Sequence, residues 1–139
     1  MAKENSSLSQ RVDWELLPYV NRPGQYVGGE YNSQSKEWTL ERVKMAFCFP
    51  DTYEIGMSHL GLRVLYHSVN LADDLLLERV FAPMADMEER MRQHNIPLFS
   101  WESRHAVKDF DVVGFTLQYE MSFSNVLNML DLAGIPLII

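Results

Sequence analysis

Apolar positions along this chain switch between continuous runs and a helical period, and that alternation lays out the elements. Residues 43–49 form a compact apolar run, read as a buried strand that Pro50 ends because proline brings no N–H to the ladder. A polar, glycine-bearing turn follows. Leu62, Leu65, Tyr66 and Val69 then recur at i, i+3, i+4 and i+7, which predicts an amphipathic helix over 58–71 capped by Ser58. Residues 77–81 read as a second short strand. Met84, Met87 and Met91 place one apolar face on a helix ending near Asn95, with Glu88 and Arg92 paired on its other side. Residues 97–100 are read as a short strand and 101–110, with mixed charges and no period, as a surface loop bordering a site. Residues 111–118 have the near-continuous apolar character of a strand covered on both faces and lying beside the first. Phe123, Val126, Leu127 and Leu130 repeat the helical pattern, with Ser122 or Ser124 as cap and Gly134 as the stop. Residues 136–139 begin a further strand, so the chain is read as a fragment ending inside it.

Strands alternating with helices predict an α/β fold: a doubly wound, mainly parallel sheet, Rossmann-like or flavodoxin-like, with right-handed crossovers and a truncated C-terminus. Ahead of it, residues 12–38 are interrupted by Pro18, Pro23, Gly24, Gly28 and Gly29 and read as a leader outside the core, with a short helix over 12–17. The organisation expected is a leader over 1–40 and an incomplete α/β domain over 41–139.

Composition narrows the function. A chain of 139 residues suits one core, and no apolar run approaches the roughly 18–20 residues needed to span a bilayer. Residues 1–10 are polar and lack the apolar centre of a secretory signal, so a flexible leader on a cytoplasmic protein is expected. A net charge of -7 argues against general nucleic-acid binding. Cys48 is the only cysteine and is flanked by Phe47 and Phe49, which excludes an internal disulfide or an iron–sulfur cluster held by this chain and predicts a buried, inert thiol.

Two polar strand ends carry the candidate chemistry, residues 51–56 and 116–120, expected to face one crevice. Gly56 and Gly61 would admit backbone to a ligand, Thr116 and Gln118 offer hydrogen bonds, and Tyr53 and Tyr119 offer flat surfaces, a set suited to a large planar ligand. Each has a plainer alternative: Gly56 as a positive-φ turn residue, Tyr119 as core, Asp51 as a helix cap. Glu54 and Glu120 could form a carboxylate pair only if both point into the crevice. His59 is read as a cap or packing residue, and His67, His94 and His105 lack metal-ligand spacing.

The chain resembles the N-terminal portion of cobalamin-binding radical SAM proteins, in a subfamily with a leader. The likeness rests on Pro23-Gly24-Gln25-Tyr26-Val27-Gly28-Gly29-Glu30, on Phe49-Pro50-Asp51-Thr52-Tyr53-Glu54-Ile55-Gly56-Met57-Ser58 with Leu60-Gly61, and on Glu78-Arg79-Val80-Phe81-Ala82-Pro83. It continues through Gly114-Phe115-Thr116-Leu117-Gln118-Tyr119-Glu120 and the run from Asn125 to Pro136. The resemblance implies a parent enzyme in which this domain precedes a barrel with S-adenosylmethionine and a four-iron cluster on a three-cysteine motif, absent here. That radical SAM domain would be its partner, and an unpaired strand edge could pair fragments as dimers.

Cobalamin domains that bind the cofactor base-off carry Asp-x-His-x-x-Gly, then Ser-x-Leu, then Gly-Gly. Asp51-Thr52-Tyr53-Glu54-Ile55-Gly56 resembles the first element with Tyr53 in place of the cobalt-ligating histidine, and Thr116-Leu117-Gln118 resembles the second with both defining residues changed. The third would lie beyond Ile139. A phenol with a pKa of about 10 is a poor cobalt ligand at neutral pH. The resemblance thus implies cobalamin held without histidine on Asp51, Tyr53, Gly56, Thr116 and Gln118, or a structural, docking domain of the same fold that no longer binds it. A phosphate-accepting receiver of this topology would need clustered acids after the first strand and an Asp after the third; only Asp51 fits.

Overall fold

The computed structural model describes residues 7–138. Expectations for residues 1–6, part of the polar leader, and for Ile139, at the end of the last expected strand, lie outside the described residues. The elements run α1 (Leu8–Arg11), β1 (Val43–Phe49), α2 (Tyr53–Met57), α3 (Leu60–Asn70), β2 (Leu75–Phe81), α4 (Ala85–Gln93), β3 (Val112–Phe115) and α5 (Ser122–Leu132). The strands form one parallel sheet in the order β2-β1-β3. This is the expected α/β fold, compatible with a flavodoxin-like winding. β1 pairs with β2 from Val43↔Leu75 to Phe49↔Phe81, and with β3 from Met45↔Val112 to Cys48↔Phe115. No helix among the described residues is long and apolar enough to cross a membrane.

The period-3.6 reading holds for α3, which buries Leu62, Tyr66 and Asn70. Its cap is His59 rather than Ser58: the imidazole Nδ1 accepts the Leu62 N–H at 3.1 Å. A Cβ on Gly61 would lie 2.9 Å from the His59 ring, so glycine there lets the cap fold back. In α4, Met87 and Met91 are buried and Glu88 pairs with Arg92 at 3.2 Å, as expected.

Five expectations about the surface and ends change. The leader is part of the core: α1 continues through helical turns over Val12–Leu16 and Leu17–Tyr19, and Val12, Leu16, Val20 and Tyr26 are buried in the central cluster. Residues 101–110 are not a surface loop, since Trp101, Ala106, Val107 and Phe110 are buried. Their charges misled because they are paired inward, Glu102 to Arg79 at 2.6 Å and Arg104 to Asp13 at 2.7 Å. In place of a strand over 97–100 there is a single antiparallel bridge, Phe99↔Ala106. Residues 136–138 take no strand conformation. In α5 the inward residues are Ser122, Met129 and Leu132, whereas Phe123 and Leu127 are more than half exposed.

The two edges of the sheet differ. On β2, Asn70 grips Leu77 through both its N–H and C=O, at 3.0 and 2.9 Å, and Glu102 and Trp101 take the N–H and C=O of Arg79 at 2.9 Å each. Lys36 donates to the Leu75 carbonyl at 2.8 Å. These contacts satisfy the backbone that an edge strand otherwise leaves open. Among the described residues β3 has no such cover, and its four residues are half-buried or exposed rather than enclosed on both faces.

Candidate functional site

Strand order fixes where a crevice opens. The chain passes from β1 to β2 on one side, then crosses β1 to reach β3 on the other. The connections diverge between the carboxyl ends of β1 and β3, the switch point at which open α/β sheets hold ligands. Residues 50–52 and 116–121 flank this point. Asn125 of α5 ties them, donating to the Pro50 carbonyl at 2.9 Å.

Three of the five sequence-predicted residues stand there. Asp51 is half-buried; its Oδ1 accepts the Thr52 N–H at 2.8 Å, and its carbonyl accepts the Ala82 N–H at 2.8 Å, anchoring the turn to the end of β2. The side chain thus serves the turn that starts α2. Thr116 is half-buried and its hydroxyl accepts from the amide of exposed Gln118.

Tyr53 and Gly56 engage the leader and β2 instead. The Tyr53 hydroxyl donates to Glu30 Oε1 at 2.9 Å, and its ring packs edge-on against Phe81. Burial first, then the Glu30 carboxylate, push the phenol up to about 12, so it stays protonated at neutral pH. Gly56 is buried, and a Cβ there would sit 2.2 Å from the Phe81 ring. Its φ is not positive, so close packing against Phe81, and not turn geometry, is what requires glycine. Glu54 accepts from Arg22 and Gln25 at 2.9 Å each, while Tyr119 is half exposed and Glu120 exposed.

Glu30 leads into a polar cluster that sequence reasoning missed. Arg79 of β2 is buried, with Nε 2.6 Å from Glu102 Oε1 and a terminal nitrogen 3.2 Å from both Glu30 Oε2 and Ser33 Oγ. Its guanidinium also stacks on the Tyr66 ring at 4.3 Å. Burial alone would favour neutral arginine, but Glu102 and then Glu30 overcome it and hold Arg79 firmly charged. Glu30 is pushed up by burial, yet its own backbone, Ser33, Tyr53 and Arg79 together keep its carboxyl below the usual range. The signal in the sequence was two consecutive charges, Glu78-Arg79, inside an apolar strand: such groups are buried only with partners. Glu78 has its own, accepting from Ser100 at 2.5 Å and Ser103 at 2.6 Å.

Arg79 and Glu30 also line a cleft of about 720 Å³ between residues 30–34 and α3. None of the five predicted residues lines it. Among the described residues no group of three or more His, Cys, Asp or Glu could hold a metal ion. Cys48 is fully buried and its thiol is pushed up by burial to about 12, which makes it inert.

An open three-stranded parallel sheet with helices between its strands defines an α/β domain. Residues 61–139 match the family model described as radical SAM proteins, N-terminal, and the chain belongs to that family. The match takes in part of α3 and every later element. No curated protein and no solved structure matches the chain. Membership implies S-adenosylmethionine and an iron–sulfur cluster for the catalytic part of such a protein, which one buried cysteine cannot supply.

Proposed function

We propose that this domain positions a cobalamin against a radical SAM domain, its partner, and performs no bond-making step itself. The observation that carries the reading is the switch point between β1 and β3, flanked by the polar turns of Asp51 and of Thr116 and Gln118. The residues fit only one mode of holding the cofactor. As a lower cobalt ligand Tyr53 does not fit, because its hydroxyl is committed to Glu30 and held protonated. As a rest for the corrin rim the crevice does fit: Asp51, Thr116 and Gln118 bring carboxylate, hydroxyl and amide groups that suit the macrocycle's peripheral amides. Tyr53 and Gly56 stand to the β2 side of this rest, against Phe81. When bound, cobalamin supplies the alkyl- or methyl-carrying cobalt.

Titrating the chain, and a longer one carrying its radical SAM part, with hydroxocobalamin tests this. The expected result is a saturable change in the visible spectrum in the longer protein, weakened by Thr116→Val with Gln118→Ala and unchanged in character by Tyr53→Phe. Absence of any change in the longer protein would refute it.

A second reading, a docking domain without cofactor, is favoured by the filled site at Gly56, where Phe81 occupies the space an open floor would need. It predicts the null titration, with intact assembly of the longer protein after the same Thr116 and Gln118 substitutions.

A further inference from the structure

The face of α3 turned away from the sheet carries Leu60, Arg63, Val64 and His67, spaced i, i+3, i+4 and i+7, and this stripe forms one wall of the 720 Å³ cleft. Leu60 is 70% and Val64 54% exposed, so the stripe is apolar surface open to water with two basic groups set one turn apart. The opposite wall is residues 30–34. It is held in place by the Gln34 N–H donating to Tyr66 Oη at 2.6 Å and by Ser33 and Glu30 on Arg79. The wall is therefore fixed, and the cleft exists before any ligand arrives.

Charge distinguishes the groups lining it. Both Glu30 oxygens are engaged, Oε1 by Tyr53 and Oε2 by Ser33 and Arg79, and Arg79 is fully committed to Glu30, Glu102 and Ser33. Arg63 and His67 make no side-chain hydrogen bond or ion pair with any other described residue. With its carboxylate neutralised internally and its other unengaged side chains, Tyr31, Asn32, Gln34 and Ser68, uncharged, the cleft presents a guanidinium and an imidazole, which favours an anion. Its apolar area, from Met57, Leu60 and Val64, selects a ring or chain attached to that anion. The volume lies in the range of small-molecule sites.

We propose that this cleft is a second binding site, separate from the strand-end crevice, for a small amphipathic organic anion. Its carboxylate or phosphate head sits on Arg63 and His67 and its apolar body lies along Leu60 and Val64. The inference does not depend on cobalamin binding.

The test is calorimetric titration of the chain with 1-naphthoate, with 1-naphthyl phosphate and with uncharged 1-naphthalenemethanol, each repeated with Arg63→Gln, His67→Gln and Val64→Glu. These positions are exposed, so the variants keep the wild-type circular dichroism and melting curve. Both anions should bind, the alcohol about tenfold more weakly, the size of one lost charge-assisted hydrogen bond. Arg63→Gln should weaken the anions about tenfold and leave the alcohol unchanged, Val64→Glu should abolish all three, and the better anion identifies the head group. Equal binding of alcohol and anions, no binding of either anion, or anion binding indifferent to Arg63→Gln and Val64→Glu would overturn the proposal.

Discussion

Replacing Glu102 by alanine should destabilise the domain more than removal of any exposed charge. Arg79 and Glu102 have side chains only 6% and 5% exposed, so the substitution leaves a nearly buried guanidinium without its closest carboxylate. Breaking a buried pair by removing one partner costs about 3–5 kcal/mol. Two features of the site place the loss within that range. Glu30 still offers an acceptor at 3.2 Å, which lowers the cost, but Glu102 also accepts the Arg79 backbone N–H at 2.9 Å, and an orphaned edge-strand donor adds about 1–3 kcal/mol. A loss of about 4 kcal/mol is therefore expected, which lowers Tm by roughly 10–20 °C in a domain of this size. Glu102→Gln keeps an acceptor for the backbone N–H and should lose about half as much. The control is Glu54→Ala, which breaks the Arg22 pair, exposed by 61% on both sides, together with the Gln25 bond, and should cost no more than about 2 kcal/mol. Urea unfolding of the three variants at pH 7, followed by tryptophan fluorescence, supplies the comparison. If Glu102→Ala loses less than Glu54→Ala, the buried cluster does not hold the leader to β2 and the reasoning fails.

Gly56→Ala should cost about 1–3 kcal/mol, because the added methyl falls 2.2 Å from Phe81 and the ring has core on its other side; an unchanged urea midpoint would contradict the packing role of that glycine. The Glu30 carboxyl lies below its ordinary range when folded, so the unfolded chain binds that proton at the higher pH. The stability it contributes is complete above the usual carboxylate pKa of about 4.3 and is lost as pH falls through the lower folded value. The stability gap between wild type and Glu30→Gln should accordingly narrow between neutral and acid pH, and a gap constant from pH 7 to 3 would show that Glu30 is not held ionised by Arg79 and Tyr53.

Where the local pattern alone determines the outcome, the sequence was legible. β1 runs over the predicted residues, β2 starts two residues earlier, and α3 buries Leu62 and Tyr66 and α4 Met87 and Met91, while Leu65 and Met84 of the same predicted faces stay exposed. Legibility failed where burial came from distant partners. Residues 101–110 read as surface because Glu102, Ser103 and Arg104 are polar, yet their partners Arg79, Glu78 and Asp13 lie far away in sequence. α5 failed in the opposite sense. Phe123 and Leu127 have the spacing of a core face but stand outward, since Asn125 bonds to Pro50 and Met129 and Leu132 turn the helix the other way. At the site, the turn after β1 was legible as a strand end, but which of its side chains faced the crevice was not. Asp51, Thr116 and Gln118 share the switch point, whereas Tyr53 turns to Glu30, a residue of the supposedly separate leader.

That last contact changes how the two functional readings can be told apart. Deleting residues 1–38 looks like a clean way to separate a docking leader from a cofactor domain. In this fold the deletion removes Val12, Leu16, Val20 and Tyr26 from the core, and with Glu30 and Ser33 it removes two of the groups that hold buried Arg79. The loss would unfold β2's covered edge and report nothing about partners. The substitutions that do discriminate lie on groups the core does not use. Thr116 and Gln118 at the strand end bond chiefly to each other, so altering them tests the proposed cofactor contact while leaving the packing of β1 and the leader intact. Phe123 and Leu127 on α5 are exposed and outside the core cluster, so a charge placed there reads out docking alone. The physical separation of these two sets, one polar at the strand ends and one apolar on the helix, is what allows binding and assembly to be measured independently.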